Sequence, residues 1–174
     1  DLTFVDTSGV ALASVTLTGN LNVTADGAIT DSGTLAISGT TTLAAGSGNN
    51  ITLDTTGNNF TDAVMITSGN DVELVDTNGI VLGASTVSGD LTVTATLGDI
   101  TDTGSLDVTG DASFTANAAG ADIVLNDASN RFGGSVAFAS SGGLADLTFV
   151  DTTAVALPSV TLTGNLNVTA GGAI

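Results

Sequence analysis

Apolar and polar residues alternate along this chain in short runs. In Leu21-Asn22-Val23-Thr24-Ala25 the first, third and fifth side chains share one side of an extended backbone, and the second and fourth share the other. The same i, i+2 apolar spacing occurs at Leu2/Phe4, Val10/Leu12, Leu35/Ile37, Ile51/Leu53 and Val64/Ile66. Between the runs stand Thr18-Gly19-Asn20, Asp31-Ser32-Gly33, Gly57-Asn58-Asn59, Ser68-Gly69-Asn70, Ser88-Gly89-Asp90 and Asp102-Thr103-Gly104. Gly, Asn and Asp tolerate the positive φ that sharp corners demand, so these read as turns. Strand–turn modules of about 8–12 residues predict an all-β protein, and taken alone they fit an antiparallel sandwich as well as a coil.

A longer period chooses between the two. Asp1–Ile29 and Asp146–Ile174 differ at only four positions, Ser8/Thr153, Gly9/Ala154, Ala13/Pro158 and Asp26/Gly171, and a diverged copy begins at Asp71. The chain divides into a unit over 1–70, a second over 71–145 and a partial third over 146–174. Comparing the copies separates core from surface. Leu21, Val23 and Ala25 recur unchanged as Leu91, Val93, Ala95 and as Leu166, Val168, Ala170, while Asn22 becomes Thr92 and then Asn167. Likewise Leu2/Phe4 match Val72/Leu74 and Leu147/Phe149, and Val10/Leu12 match Ile80/Leu82 and Val155/Leu157. Leu35/Ile37 match Leu106/Val108, Ile51/Leu53 match Ile123/Leu125, and Val64/Ile66 match Val136/Phe138. Tandem units with matched inward faces predict a parallel β-helix (a β-solenoid), right-handed by the chirality of parallel crossovers. A turn of roughly 20 residues puts three to four turns in each unit. Because the third copy stops mid-unit, the chain reads as a window of a longer array forming one continuous rod. The rival arrangement, one bead per unit, needs linkers, and the single Pro argues against them.

Composition narrows the chemistry. There are 18 acidic residues against one cation, Arg131, for a net charge of −17, and all the acids but Glu73 are Asp. Nucleic acid is excluded as a direct ligand, because phosphate binding requires Lys and Arg. With no Cys, His or Lys, the chain cannot build Ser-His-Asp or Cys-His machinery, a Schiff base, or a zinc site of His and Cys. No run of 18 apolar residues predicts membrane insertion. Aromatics amount to 3% and all are Phe, which suits a thin aliphatic core. Phe60 matches Phe132 between copies, a packing role repeated in each unit, and without Trp or Tyr there is no platform for sugars.

Three chemical possibilities remain. Carboxylate pairs could cut polysaccharide, with Asp26/Asp31, Asp99/Asp102 and Asp107/Asp111 as candidates. Only Asp31 and Asp102 recur between copies, each two residues before a turn Gly, so the expectation is no enzyme, no catalytic residue and no cofactor. Calcium is the better-suited ligand for Asp- and Asn-rich turns, although no calcium-binding nonapeptide or EF-hand loop is present and Gly46-Ser47-Gly48-Asn49-Asn50 carries no acid. Outward T-x-T pairs at Thr16/Thr18, Thr92/Thr94 and Thr161/Thr163 raise ice binding, against which Asn22, Ser38 and Asp107 break the ladder.

Gly19–Gly39 (GNLNVTADGAITDSGTLAISG), Gly89–Gly110 (GDLTVTATLGDITDTGSLDVTG) and the phrase Asn130-Arg131-Phe132-Gly133-Gly134-Ser135-Val136 resemble the giant β-strand-repeat exoproteins of Gram-negative bacteria, similar to the filamentous-haemagglutinin class. The resemblance covers nearly all of the chain and implies export across the outer membrane, a long rod, and an adhesive or structural role. It brings no active-site residues. The resulting expectation is a structural rod of an extracellular or cell-surface fibre, sheath or adhesin stalk, with chains associating end to end into filaments through uncovered strand edges. The alternative is an adhesin module contacting a glycan or host surface through the middle unit's insertion region, Ala118–Arg131, where Arg131 breaks the acidic pattern.

Overall fold

The computed structural model describes residues 1–174 and contains twenty-two β-strands and no helix. The first unit supplies ten: β1 (Leu2–Asp6), β2 (Val10–Leu12), β3 (Val15–Leu17), β4 (Leu21–Ala25), β5 (Ile29–Asp31), β6 (Leu35–Ile37), β7 (Thr41–Ala44), β8 (Ile51–Leu53), β9 (Asn59–Phe60) and β10 (Val64–Ser68). The second supplies ten in the same order: β11 (Val72–Asp76), β12 (Ile80–Leu82), β13 (Ser85–Val87), β14 (Leu91–Ala95), β15 (Ile100–Asp102), β16 (Leu106–Val108), β17 (Ala112–Ala116), β18 (Ala121–Leu125), β19 (Arg131–Phe132) and β20 (Val136–Ala139). β21 (Leu144–Asp151) and β22 (Leu166–Ala170) follow.

Every strand pairing is parallel. Three strands make one turn: β1, β2 and β3 lie on three faces, and β4, β5 and β6 stack on them in register. The chain completes about 8 such turns, so the fold is a β-solenoid and not a sandwich. Successive turns are closed by backbone bonds at the corners as well as in the strands; for example the Leu21 N–H donates to the Thr40 carbonyl at 2.9 Å and the Gly83 N–H to the Val64 carbonyl at 2.8 Å.

Alternation within each strand does what the copies predicted. One column on the second face runs Val10, Ile29, Ile51, Val72, Leu91, Ala112 and Val136. The inward columns merge into a single cluster of 38 buried residues. Stacking like on like buries apolar area with every added turn, so stability accumulates along the axis. The terminal turns depart from the expectation: Phe4 is 38% exposed and Leu166 50% exposed, whereas their counterparts Leu74, Phe149, Leu21 and Leu91 are buried. In the third copy residues 154–161 form no strand although β2 and β3 do. Pro158, where the first copy has Ala13, removes one ladder N–H.

Thr41 lies in an inward column between Leu21 and Val64, and its hydroxyl is buried without a partner. The second unit places Ala112 there. A buried orphan hydroxyl costs more than a methyl of the same size. Thr41→Val is therefore expected to raise stability by about 1 kcal/mol, read as a higher urea midpoint at unchanged slope; a lower midpoint would show that the hydroxyl is satisfied.

The turn glycines need a different explanation from positive φ. Only Gly46, Gly120 and Gly143 adopt it, and no other residue does. Elsewhere the constraint is the neighbouring turn: a Cβ on Gly98 would sit 2.7 Å from the Gly79 nitrogen, and one on Gly27 would sit 2.7 Å from the Gly9 nitrogen. Corners stack so closely that backbone meets backbone.

Candidate functional site

Five acids, Asp1, Asp71, Asp90, Asp99 and Asp111, stand where a strand is about to begin, and there each carboxylate accepts an N–H from the turn above. Asp71, Asp90 and Asp111 precede β11, β14 and β17. The Asp90 N–H donates to Asp71 Oδ1 at 3.1 Å, the Asp111 N–H to Asp90 Oδ1 at 2.8 Å, and the Ser135 N–H to Asp111 Oδ1 at 2.7 Å. Asn50 begins the column by accepting from the Asp71 N–H at 3.2 Å. A second column runs Asp99, Asp122, Asp146 and Asn165, with N–H to Oδ1 distances of 2.8, 2.9 and 2.6 Å. A third joins Asp1, Asn20 and Thr40 at 2.8 and 3.0 Å.

Carboxylates one turn apart are separated by about 4.8 Å of axis. In water repulsion at that spacing is weak and screened by salt, and each N–H donated to a carboxylate opposes it, so a chain of this charge can stack its acids. Two bonds from Ser135 hold the Asp111 carboxyl below its usual range, and Ser8 does the same for Asp6.

A second set of acids faces inward. In Val72-Glu73-Leu74-Val75-Asp76 the alternation turns Asp76 to the same side as Val72 and Leu74, and it is fully buried. Its Oδ2 accepts the Phe60 N–H at 2.7 Å and its Oδ1 the Asn78 N–H at 2.6 Å. Burial pushes this carboxyl up, and the two N–H bonds pull against that. Asp151, its counterpart, is also buried and accepts from the Phe132 N–H at 3.4 Å and the Thr153 N–H at 2.8 Å. Beside each lies a buried Asn. Asn58 accepts the Leu35 N–H at 2.9 Å and donates to Asp31 Oδ2 at 2.5 Å; Asn130 accepts the Leu106 N–H at 2.8 Å and donates to Asp102 Oδ2 at 2.6 Å. These are corner posts that tie a wide turn to the one below it.

Asp31 and Asp102, the members of the candidate pairs that recur, are thus the anchors of the posts. Asp99 belongs to a column, Asp107 pairs with Arg131 at 3.0 Å, and Asp111 is held by Ser135. Asp26 is exposed on a corner. No three acidic side chains converge as a metal site. The Thr pairs do not share a face: Thr16 is followed on its face by Ala36 and Asn59, and Thr92 lies between Glu73 and Ser113.

Ala118–Arg131 is not an extra loop. It contains β18, the counterpart of β8, and Arg131 stands on β19 next to Asp107 exactly one turn below it in the ladder, where the first unit has Asn59 next to Ala36. The deviation in charge is matched by a deviation in the neighbouring turn. Asp76, Asp151, Asn58 and Asn130 lie outside the candidate pairs, yet the sequence carries a signal for the acids: Asp6, Asp76 and Asp151 end the same L-x-F-x-D or V-x-L-x-D alternation on its apolar side.

Stacked parallel turns, one unbroken core and acids committed to backbone define a β-solenoid repeat protein. The chain belongs to the family described as repeats of unknown function (DUF5649), whose profile matches it three times in succession, over residues 1–67, 69–139 and 144–174. No curated protein and no solved structure matches the chain.

Proposed function

We propose that this chain is a stretch of structural rod from an extracellular fibre, sheath or adhesin stalk. The observation that carries the reading is the single core of 38 buried residues threading every full turn, with its corner acids spent on bonds between turns. Such a stack resists extension along its axis through many parallel backbone bonds, and lengthens by adding units without redesigning a core. The acidic, Cys-free composition and the resemblance to filamentous-haemagglutinin exoproteins favour the cell surface. Anionic rods repel one another sideways and stay soluble.

End-to-end association of rods through uncovered strand edges belongs to the same proposal.

The test is electron microscopy of the native surface material, with antibody to this chain. Thin labelled rods with an axial repeat near 4.8 Å are expected. Label confined to compact particles or to the cell interior would overturn the reading.

A further inference from the structure

The unit and the turn are out of step. Each unit contributes ten strands and each turn uses three, so a unit occupies three and a third turns. Counterparts in successive units therefore fall on successive faces. β1 lies on the first face, stacked beneath β4 and β7. Its counterpart β11 lies on the second, between β8 and β14. Its next counterpart, β21, lies on the third, above β18, which stacks on β15 and β12. The nine-stranded sheet records the same offset, since it crosses from the first face to the third through the single pairing of Val64 with Leu82.

The corner columns move with the strands. Asp1 and Asn20 stand on one edge of the rod, their counterparts Asp71 and Asp90 on the next, and Asp146 and Asn165 on the third. The second unit is longer than the first, yet the added residues lie in turns: Leu97 and the segments around Gly120 and Gly143 are all outside the matched strands. Length varies while the strand count stays at ten, and it is the count that sets the phase.

We propose that arrays of this unit form a three-sided screw whose sides are chemically equivalent, so that each surface feature of a unit, the acidic column included, is displayed in three directions in rotation. Each unit advances the pattern by one face, roughly 120°, and by about 16 Å along the axis, and the surface repeats after ten turns, about 48 Å. A rod built this way has no single binding side: a partner reading one unit finds the next equivalent surface round the corner, and neighbours can attach from any of three directions. Ten strands cannot be divided evenly among three faces, and that arithmetic alone prevents the units from lining up. The inference rests on the reading of the chain as a rod, but its test does not depend on any fibre.

The test uses this chain with paired spin labels on outward counterparts, made as Asn22→Cys, Thr92→Cys and Asn167→Cys in the three double combinations. If the units wind, the 22–167 distance is expected to fall short of the summed 22–92 and 92–167 distances by roughly a fifth or more, because the three sites lie on three faces. If the long distance equals the sum, the sites are collinear and the proposal is overturned. Circular dichroism confirms that labelled chains keep their strands. The triplet Thr24→Cys, Thr94→Cys and Thr169→Cys gives an independent set at a position where all three copies carry the same residue. A screw confirmed by distances alongside native material that contains no rods would defeat the proposed function and leave the winding intact.

Discussion

Phe114→Ala is expected to destabilise the protein by about 3–5 kcal/mol, the range for emptying a buried aromatic site. Phe114 is fully buried, with its ring edge-on to Phe132 at 6.0 Å and stacked on Phe138 at 6.0 Å. Phe149 closes the group at 5.1 Å from Phe132 and 5.2 Å from Phe138. Four rings from four strands thus fill the interior of the later turns, and a truncation strips several ring contacts at once. Aromatic pairs add about 0.5–1.5 kcal/mol beyond their burial. The first unit has Leu43, Phe60 and Ile66 at the positions of Phe114, Phe132 and Phe138. Phe114→Leu should accordingly cost much less than Phe114→Ala, because the site accepts Leu in the sister unit but the facing rings lose their partner. Each turn contacts only its neighbours, so the damage should stay local. Hydrogen exchange is expected to show lost protection in β16–β20 with β4–β8 retained; uniform loss along the chain would show that the rod folds as one cooperative block.

Asp76→Ala is expected to cost about 2–4 kcal/mol, since it leaves the buried Phe60 N–H without an acceptor and also frees the Asn78 N–H. Asp6→Ala is the internal control. Asp6 has the same place in its unit, but it is exposed and bonds only to Ser8, so its loss should barely move the urea midpoint. Equal effects at the two sites would refute the assignment of Asp76 as a post. The pH dependence has a definite sign. Burial raises the Asp76 pKa in the folded state, so in the interval above the ordinary carboxylate range the native protein binds the extra proton. Its contribution is full below the unfolded value and is lost as pH rises through the raised one. The cost of Asp76→Ala should therefore be larger near pH 4 than at pH 7. Asp111 and Asp6 act in the opposite sense. Their lowered pKa values give a contribution present above the unfolded value and lost as pH falls through the folded one, and full exposure keeps it small.

Much of this architecture is legible in the residues alone. Alternation at Leu21, Val23 and Ala25 fixes which side of a strand faces inward, because successive side chains must point opposite ways. Repetition of the same set at Leu91, Val93 and Ala95 implies that each copy turns the same side inward, and two of the three copies are buried as that requires. Acids in the corners were also visible, but not their purpose. A carboxylate in a turn reads as a turn former until the N–H of a residue some 20 positions later is seen above it. Asp76 follows from the same alternation that places Leu74, against the general rule that a charged residue is rarely fully buried.

What the local pattern could not supply is the number of strands in a turn. Alternation, spacing and copy number are properties of neighbours along the chain, and they are satisfied by any closed coil. Whether three modules or four complete a circuit depends on how corners bend when backbone packs on backbone, as at Gly98 over Gly79, and on posts such as Asn58 and Asn130 that hold a wide corner to the turn below. Those are contacts between residues about 20 apart, so only the tertiary structure decides that a ten-strand unit takes three and a third turns, and with it which residues share a side of the rod.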